Sequence, residues 1–61
     1  MSKLSEILGL YMRVNQVSFR GMAKEIGIPV TTLNRIVTGV SEPSAHNLVK
    51  ILDWLLKEEP S

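Results

Sequence analysis

Cysteine is absent from this 61-residue chain, and histidine, tryptophan, tyrosine and phenylalanine occur once each. Without cysteine there is no disulfide framework, thiolate nucleophile or cysteine zinc site, a composition that fits a reducing cytoplasm. His46 has no second histidine and no suitably spaced carboxylate around it, so no metal site is expected. No stretch approaches the roughly 20 apolar residues of a membrane span, and no membrane partner is expected. The opening MSKLSEILGLYM places charge in its first turns and has no small-residue cleavage site after an apolar block, which predicts no secretion signal. There is no glycine-rich phosphate loop, no acidic pair with a plausible pocket and little volume to enclose a substrate. The chain therefore reads as a non-enzyme with no cofactor and no small-molecule substrate.

Excess charge is also missing. The formal net charge is +1, but it is unevenly spread. Residues 11–40 set Arg13, Arg20, Lys24 and Arg35 against Glu25, a local +3, while residues 41–61 set Lys50 and Lys57 against four carboxylates, a local −2. A positive centre with a negative tail is the polarity expected where one face of a small protein meets phosphates. The length allows one domain, 1–61, and a chain this short buries roughly 60% of its unfolded surface. That core is marginal, and a partner subunit would strengthen it.

What the chain does have is a spacing. From Phe19 to Thr38 it places Met22, Ala23, Ile26, Gly27, Ile28, Leu33 and Ile36 where two short helices crossing at a tight turn need apolar or small residues. Met22, Ala23 and Ile26 follow the period of a buried helical face. Gly27 can take the left-handed conformation that ends a helix, and Pro29 suits the first turn of the next one. Such a pair of helices is a helix-turn-helix, and the pattern points to double-stranded DNA.

On the second of these helices, a 100° step per residue puts Ile36, Val37 and Val40 within about 60° of Leu33, a single buried stripe. Thr31, Asn34, Arg35 and Thr38 fall together on the far side. Arginine pairs with the guanine O6/N7 edge and asparagine with the adenine N6/N7 edge, while threonine offers a hydroxyl or a methyl. Read without its neighbours, this face is a solvated polar surface of the kind most helices carry. Within a helix-turn-helix the same face lies in the major groove.

Two flanking helices complete an all-α reading with helices at about 3–14, 19–26, 30–38 and 45–57. Ser2 or Ser5 is placed to cap the first, whose Leu4, Ile7, Leu8 and Tyr11 share one face. Gly9 reads either as a point of close helix approach or as an exposed glycine with no role, and Leu10 sits off the main stripe. Asn15-Gln16 interrupts the pattern, and Ser18 precedes the second helix as its N-cap. After Gly39 comes a turn, and Ser44 is placed to cap a last helix from Ala45 to about Lys57. Its Leu48, Val49, Ile51, Leu52, Leu55 and Leu56 spread over roughly 160° of circumference, wider than one side of a small core requires. Val49 and Leu56 are therefore candidates for a dimer interface. Trp54 lies outside that arc and reads either as an edge lid over the core or as a dimer anchor, the latter favoured by tryptophan's enrichment at interfaces. The final Glu58-Glu59-Pro60-Ser61 is expected to fray.

The stretch Val17-SFRGMAKEIGIPVTTLNRIVTGVSEPS-Ala45 resembles the Cro and lambda-repressor-like (XRE-type) helix-turn-helix proteins of phages and bacteria. Ala23, Gly27, Leu33, Ile36, Gly39, Pro43 and Ser44 match that family's characteristic places. The resemblance implies a compact bundle of four or five helices that binds operator DNA, commonly as a homodimer, in a bacterial or phage-infected cytoplasm at the nucleoid. Three positions depart from the pattern. Phe19 stands where many members open the second helix with a glutamine, so that anchor is absent or replaced. Pro29 stands at a serine cap's place, and Val37 where glutamate is frequent.

The expected function is that of a sequence-specific transcriptional regulator, a phage-type repressor or Cro-like protein on a pseudo-palindromic operator. Thr31, Asn34 and Arg35 are the candidate base readers, joined by Val30 as a contact for a thymine methyl. Ser18, Arg20, Lys24, Thr32, Thr38, Ser41 and Ser44 are the candidate phosphate contacts, with Arg13 more remote. The alternative is a protein-interaction module on the same fold, an antitoxin or adaptor that holds its partner with the last helix.

Overall fold

The computed structural model describes residues 3–57, which form four helices: α1 (Lys3–Asn15), α2 (Phe19–Ile26), α3 (Val30–Val37) and α4 (Ala45–Lys57). No strand occurs among the described residues. Relative to the spans set by periodicity, α1 ends one residue later and α3 one residue earlier. Ser2 and the terminal Glu58-Glu59-Pro60-Ser61 lie outside the described residues.

Leu8, Met22, Leu33, Ile36 and Ile51 are the large side chains fully withdrawn from solvent, so each helix contributes to one core. α3 packs mainly against α1 and α2, and α4 against α2. Phe19, in place of a polar helix-opening residue, is half-buried against this core along with Leu4, Tyr11, Met12, Val17, Val37 and Leu55. An aromatic ring at that position therefore serves packing rather than anchoring.

The first three helices close by one device. Gln16, Gly27 and Gly39 adopt positive φ of 54°, 93° and 81°, and in each case the next residue turns its N–H back into the helix. Val17 N–H donates to Met12 O at 3.2 Å, Ile28 N–H to Ala23 O at 3.1 Å and Val40 N–H to Arg35 O at 2.9 Å. These are the six-to-one bonds of a Schellman closure, which satisfy carbonyls that have run out of helical donors. Glycine takes this conformation freely, whereas Gln16 takes it at a cost.

N-termini differ. Ser18 caps α2, its Oγ accepting from the Gly21 N–H at 3.1 Å. Ser44 does the same for α4, accepting from the Asn47 N–H at 3.3 Å. α3 starts after Pro29, whose extended φ and ψ let the helix begin but which supplies no side-chain cap.

Several inner-face assignments change. Val40 is 74% exposed rather than part of the α3 stripe. The helix ends at Val37, and the left-handed Gly39 resets the direction of the chain before Val40 is reached. Ile7 is half exposed, because the inward face of α1 is narrower and centres on Leu8. Ser5 is not a cap. It is a buried residue within α1, and a Cβ placed on Gly39 would meet its Oγ at 3.9 Å.

Candidate nucleic-acid interface

The site is built on the outward side of α3. Leu33 and Ile36 are fully buried and fix the helix against the core, which determines what its other side presents. Val30, Thr31, Asn34 and Arg35 line one shallow depression on that side. Thr31, Asn34 and Arg35 are exposed, and Val30 is 39% exposed, a β-branched apolar group at the helix start. An eight-residue helix is about 12 Å long and, with side chains, about as wide as the major groove it would enter. Its positive dipole end lies at Val30 and Thr31, with no side chain capping it, while Arg35 stands in the last turn.

The combination is chemically varied. Arg35 supplies a fork of N–H donors, Asn34 a donor and an acceptor in one plane, Thr31 a hydroxyl and Val30 two methyl groups. Together they can distinguish the donor, acceptor and methyl patterns of base pairs in the major groove. The four candidate base readers are thus brought together as one patch.

The candidate phosphate contacts are more dispersed. Arg20 and Lys24 are exposed one turn apart on α2, and Ser41 is exposed in the loop after α3. Ser18 and Ser44 use their oxygens as acceptors in their caps, which leaves each hydroxyl proton free to donate to a phosphate. Thr32 is half-buried. Thr38 requires a correction as a hydroxyl donor: its Oγ1 donates to the Asn34 carbonyl at 2.8 Å. A phosphate oxygen accepts and does not donate, so the hydroxyl of Thr38 in this conformation has no proton for it. Arg13 lines a different depression, on α1 with Lys3, Glu6, Ile7 and Leu10.

The proposed interface residues on α4 divide. Val49 and Leu56 are 65% and 77% exposed, and Leu52 is exposed between them. Trp54 is a core residue and not a dimer anchor. It is 7% exposed, meets Tyr11 edge to face with ring centroids 4.8 Å apart, and donates from Nε1 to Glu25 Oε1 at 3.1 Å. Both its apolar body and its polar tip are occupied within the chain, so the lid alternative describes it.

Two polar contacts from α4 had no signal in the sequence: the Trp54 to Glu25 bond, and a bond from Lys50 Nζ to the Gly27 carbonyl at 3.1 Å. Each joins residues more than 20 positions apart, beyond the reach of local periodicity. Among the described residues no helix is long and apolar enough to cross a membrane, and no group of three or more His, Cys, Asp or Glu is placed to hold a metal ion.

Comparison with known families agrees with this geometry. A family model described as helix-turn-helix, of the Cro/C1 or XRE-like type, matches residues 20–54, more than half of the chain. The match runs from the first turn of α2 through α3 and most of α4. No curated protein and no solved structure matches the chain. The chain belongs to this DNA-binding helix-turn-helix family.

Proposed function

We propose that this member of the helix-turn-helix family is a sequence-specific transcriptional repressor of the phage-repressor or Cro-like kind. In this reading α3 lies in the major groove of a pseudo-palindromic operator and excludes polymerase by occupying the site. The observation that carries the proposal is the convergence of Val30, Thr31, Asn34 and Arg35 on one exposed patch of α3, backed by buried Leu33 and Ile36. Arg20 and Lys24 contribute to phosphate binding, and the role is one of binding rather than catalysis.

A second copy of the chain packs on Val49, Leu52 and Leu56 of α4, so that two recognition helices face half-sites about one helical turn, 34–36 Å, apart. The same apolar stripe favours the second reading, an antitoxin or adaptor that holds a different protein through α4.

Selection from a randomised duplex library separates the two. Wild type is expected to recover a two-fold consensus, while Asn34→Ala and Arg35→Ala each relax it at one base pair per half-site and weaken binding by about 1–3 kcal/mol. An unchanged consensus in both variants would reject base reading by α3. Failure of wild type to enrich any sequence would favour the protein-interaction reading.

A further inference from the structure

Lys50 and Gly27 are 23 residues apart, yet the Lys50 ammonium donates to the Gly27 carbonyl at 3.1 Å. That carbonyl belongs to the left-handed residue that ends α2 and begins the turn into α3. Carbonyls at a helix C-terminus lack helical donors and carry the negative end of the helix dipole, which makes a cation their favoured partner. One turn further along α4, Trp54 Nε1 donates to Glu25 Oε1. The two donors sit four residues apart on α4, and their acceptors two residues apart at the end of α2.

This arrangement matters because of how α3 is held. Its principal packing is against α1 and α2, whereas α4 packs mainly against α2 and meets α1 through the Trp54–Tyr11 ring contact, so the hydrogen bonds from α4 reach the reading helix through the end of α2 and its closing turn. Gly27 has no side chain to fix it, and a Cβ there would find no heavy atom within 4 Å. The buried Ile28 side chain anchors the far side of the turn, and hydrogen bonds hold Gly27 itself: the Gly27 and Ile28 N–H groups both donate to Ala23 O, at 2.8 and 3.1 Å, and Lys50 holds the Gly27 carbonyl. Lys50 itself is half-buried, so its stem is supported by packing while the charged end reaches the turn.

We propose that Lys50 is a positioning residue for DNA reading: its hydrogen bond to Gly27 sets the turn between α2 and α3, and thereby the presentation of Thr31, Asn34 and Arg35. The role rests on the proposed reading of DNA by α3. Lys50 acts from behind the motif and contacts neither base nor phosphate.

The test uses Lys50→Met, which keeps the stem and removes the donor, and Lys50→Arg, which restores one. Native-state amide exchange at Gly27 and Ile28 is expected to quicken about fivefold in Lys50→Met and to return towards wild type in Lys50→Arg. Affinity for the site selected by wild type is expected to fall about five- to tenfold in Lys50→Met, while affinity for unrelated duplex and the salt slope stay unchanged. Lys50→Arg should recover most of the loss. An equal loss on both DNAs, with the slope reduced by about 1, would make Lys50 a phosphate ligand and overturn the proposal. Unchanged exchange and affinity would overturn it too. If wild type selects no site, base reading by α3 fails and the positioning role with it, although faster exchange in Lys50→Met would still show that the bond holds the turn.

Discussion

The central pair of helices and the flanking pair expose opposite kinds of surface. In α2 and α3 the large aliphatic side chains are buried or half-buried apart from Val30, and the outward positions carry Arg20, Lys24, Thr31, Asn34 and Arg35. On α1, Ile7, Leu10 and Val14 are left in solvent, and on α4, Val49, Leu52 and Leu56. Each of these exposed triplets advances by three and then four residues, the spacing of a seam on which one helix packs against another. The outer surface of the motif suits a charged, hydrated polymer with hydrogen-bonding edges. The outer surfaces of the flanks suit an apolar partner, which a domain with so small a core has reason to recruit.

The largest test of this contrast compares neighbours on α3. Leu33→Ala, at a site with no solvent exposure, should cost about 2–5 kcal/mol in a denaturant melt. Arg35→Ala, two residues on, should leave stability within about 0.5 kcal/mol while weakening binding to the duplex that wild type selects. If both melted alike, the division between packing and reading faces would be wrong. Next in size is Gly27→Ala. It meets no steric obstacle, but an L side chain at φ 93° costs about 1–2 kcal/mol, measurable in the same melts.

Gly9→Ala should act in the opposite direction. The added Cβ would lie 3.9 Å from Val37 Cγ1, an ordinary van der Waals distance, so helix propensity should raise stability by about 0.5–1 kcal/mol. A decrease would show that α1 and α3 need closer approach than this geometry requires. The smallest expected change in monomer stability belongs to the double variant Val49→Ser and Leu56→Ser, within about 0.5 kcal/mol. Its readout is sedimentation: wild type should self-associate and the variant should not. A wild type that remains monomeric on DNA as well as off it would remove the assignment of α4 to a second copy.

Local chemistry made much of the fold legible. Ser18 and Ser44 cap the helices they precede, Gly27 closes α2, and Met22, Ala23 and Ile26 face inward as their spacing indicates. These features depend on residues within one or two turns of each other. The errors share a different cause. Periodicity carries the α3 stripe on to Val40, but the left-handed Gly39 changes the phase of everything after it. Ile7 falls within the inward period of α1 yet is half exposed, because periodicity gives the centre of a face and not its width. The candidate site was legible at Val30, Thr31, Asn34 and Arg35, which one helix brings together, and less so at Thr38, whose hydroxyl is committed to a carbonyl one turn back.

Local sequence suffices for the helices, most of their ends, the inward residues of the motif and the chemical character of its outward face. Each follows from backbone preferences and from a period of 3.6 residues, which act over short separations. The packing of the four helices sets which apolar residues the core has room for, places Trp54 against Tyr11 and Glu25, leaves Val49 and Leu56 outside, and brings Lys50 to the turn at Gly27. Those outcomes depend on the angles at which helices cross and on contacts between residues more than 20 positions apart. No local pattern encodes them, because each is the joint result of every surface the core must accommodate.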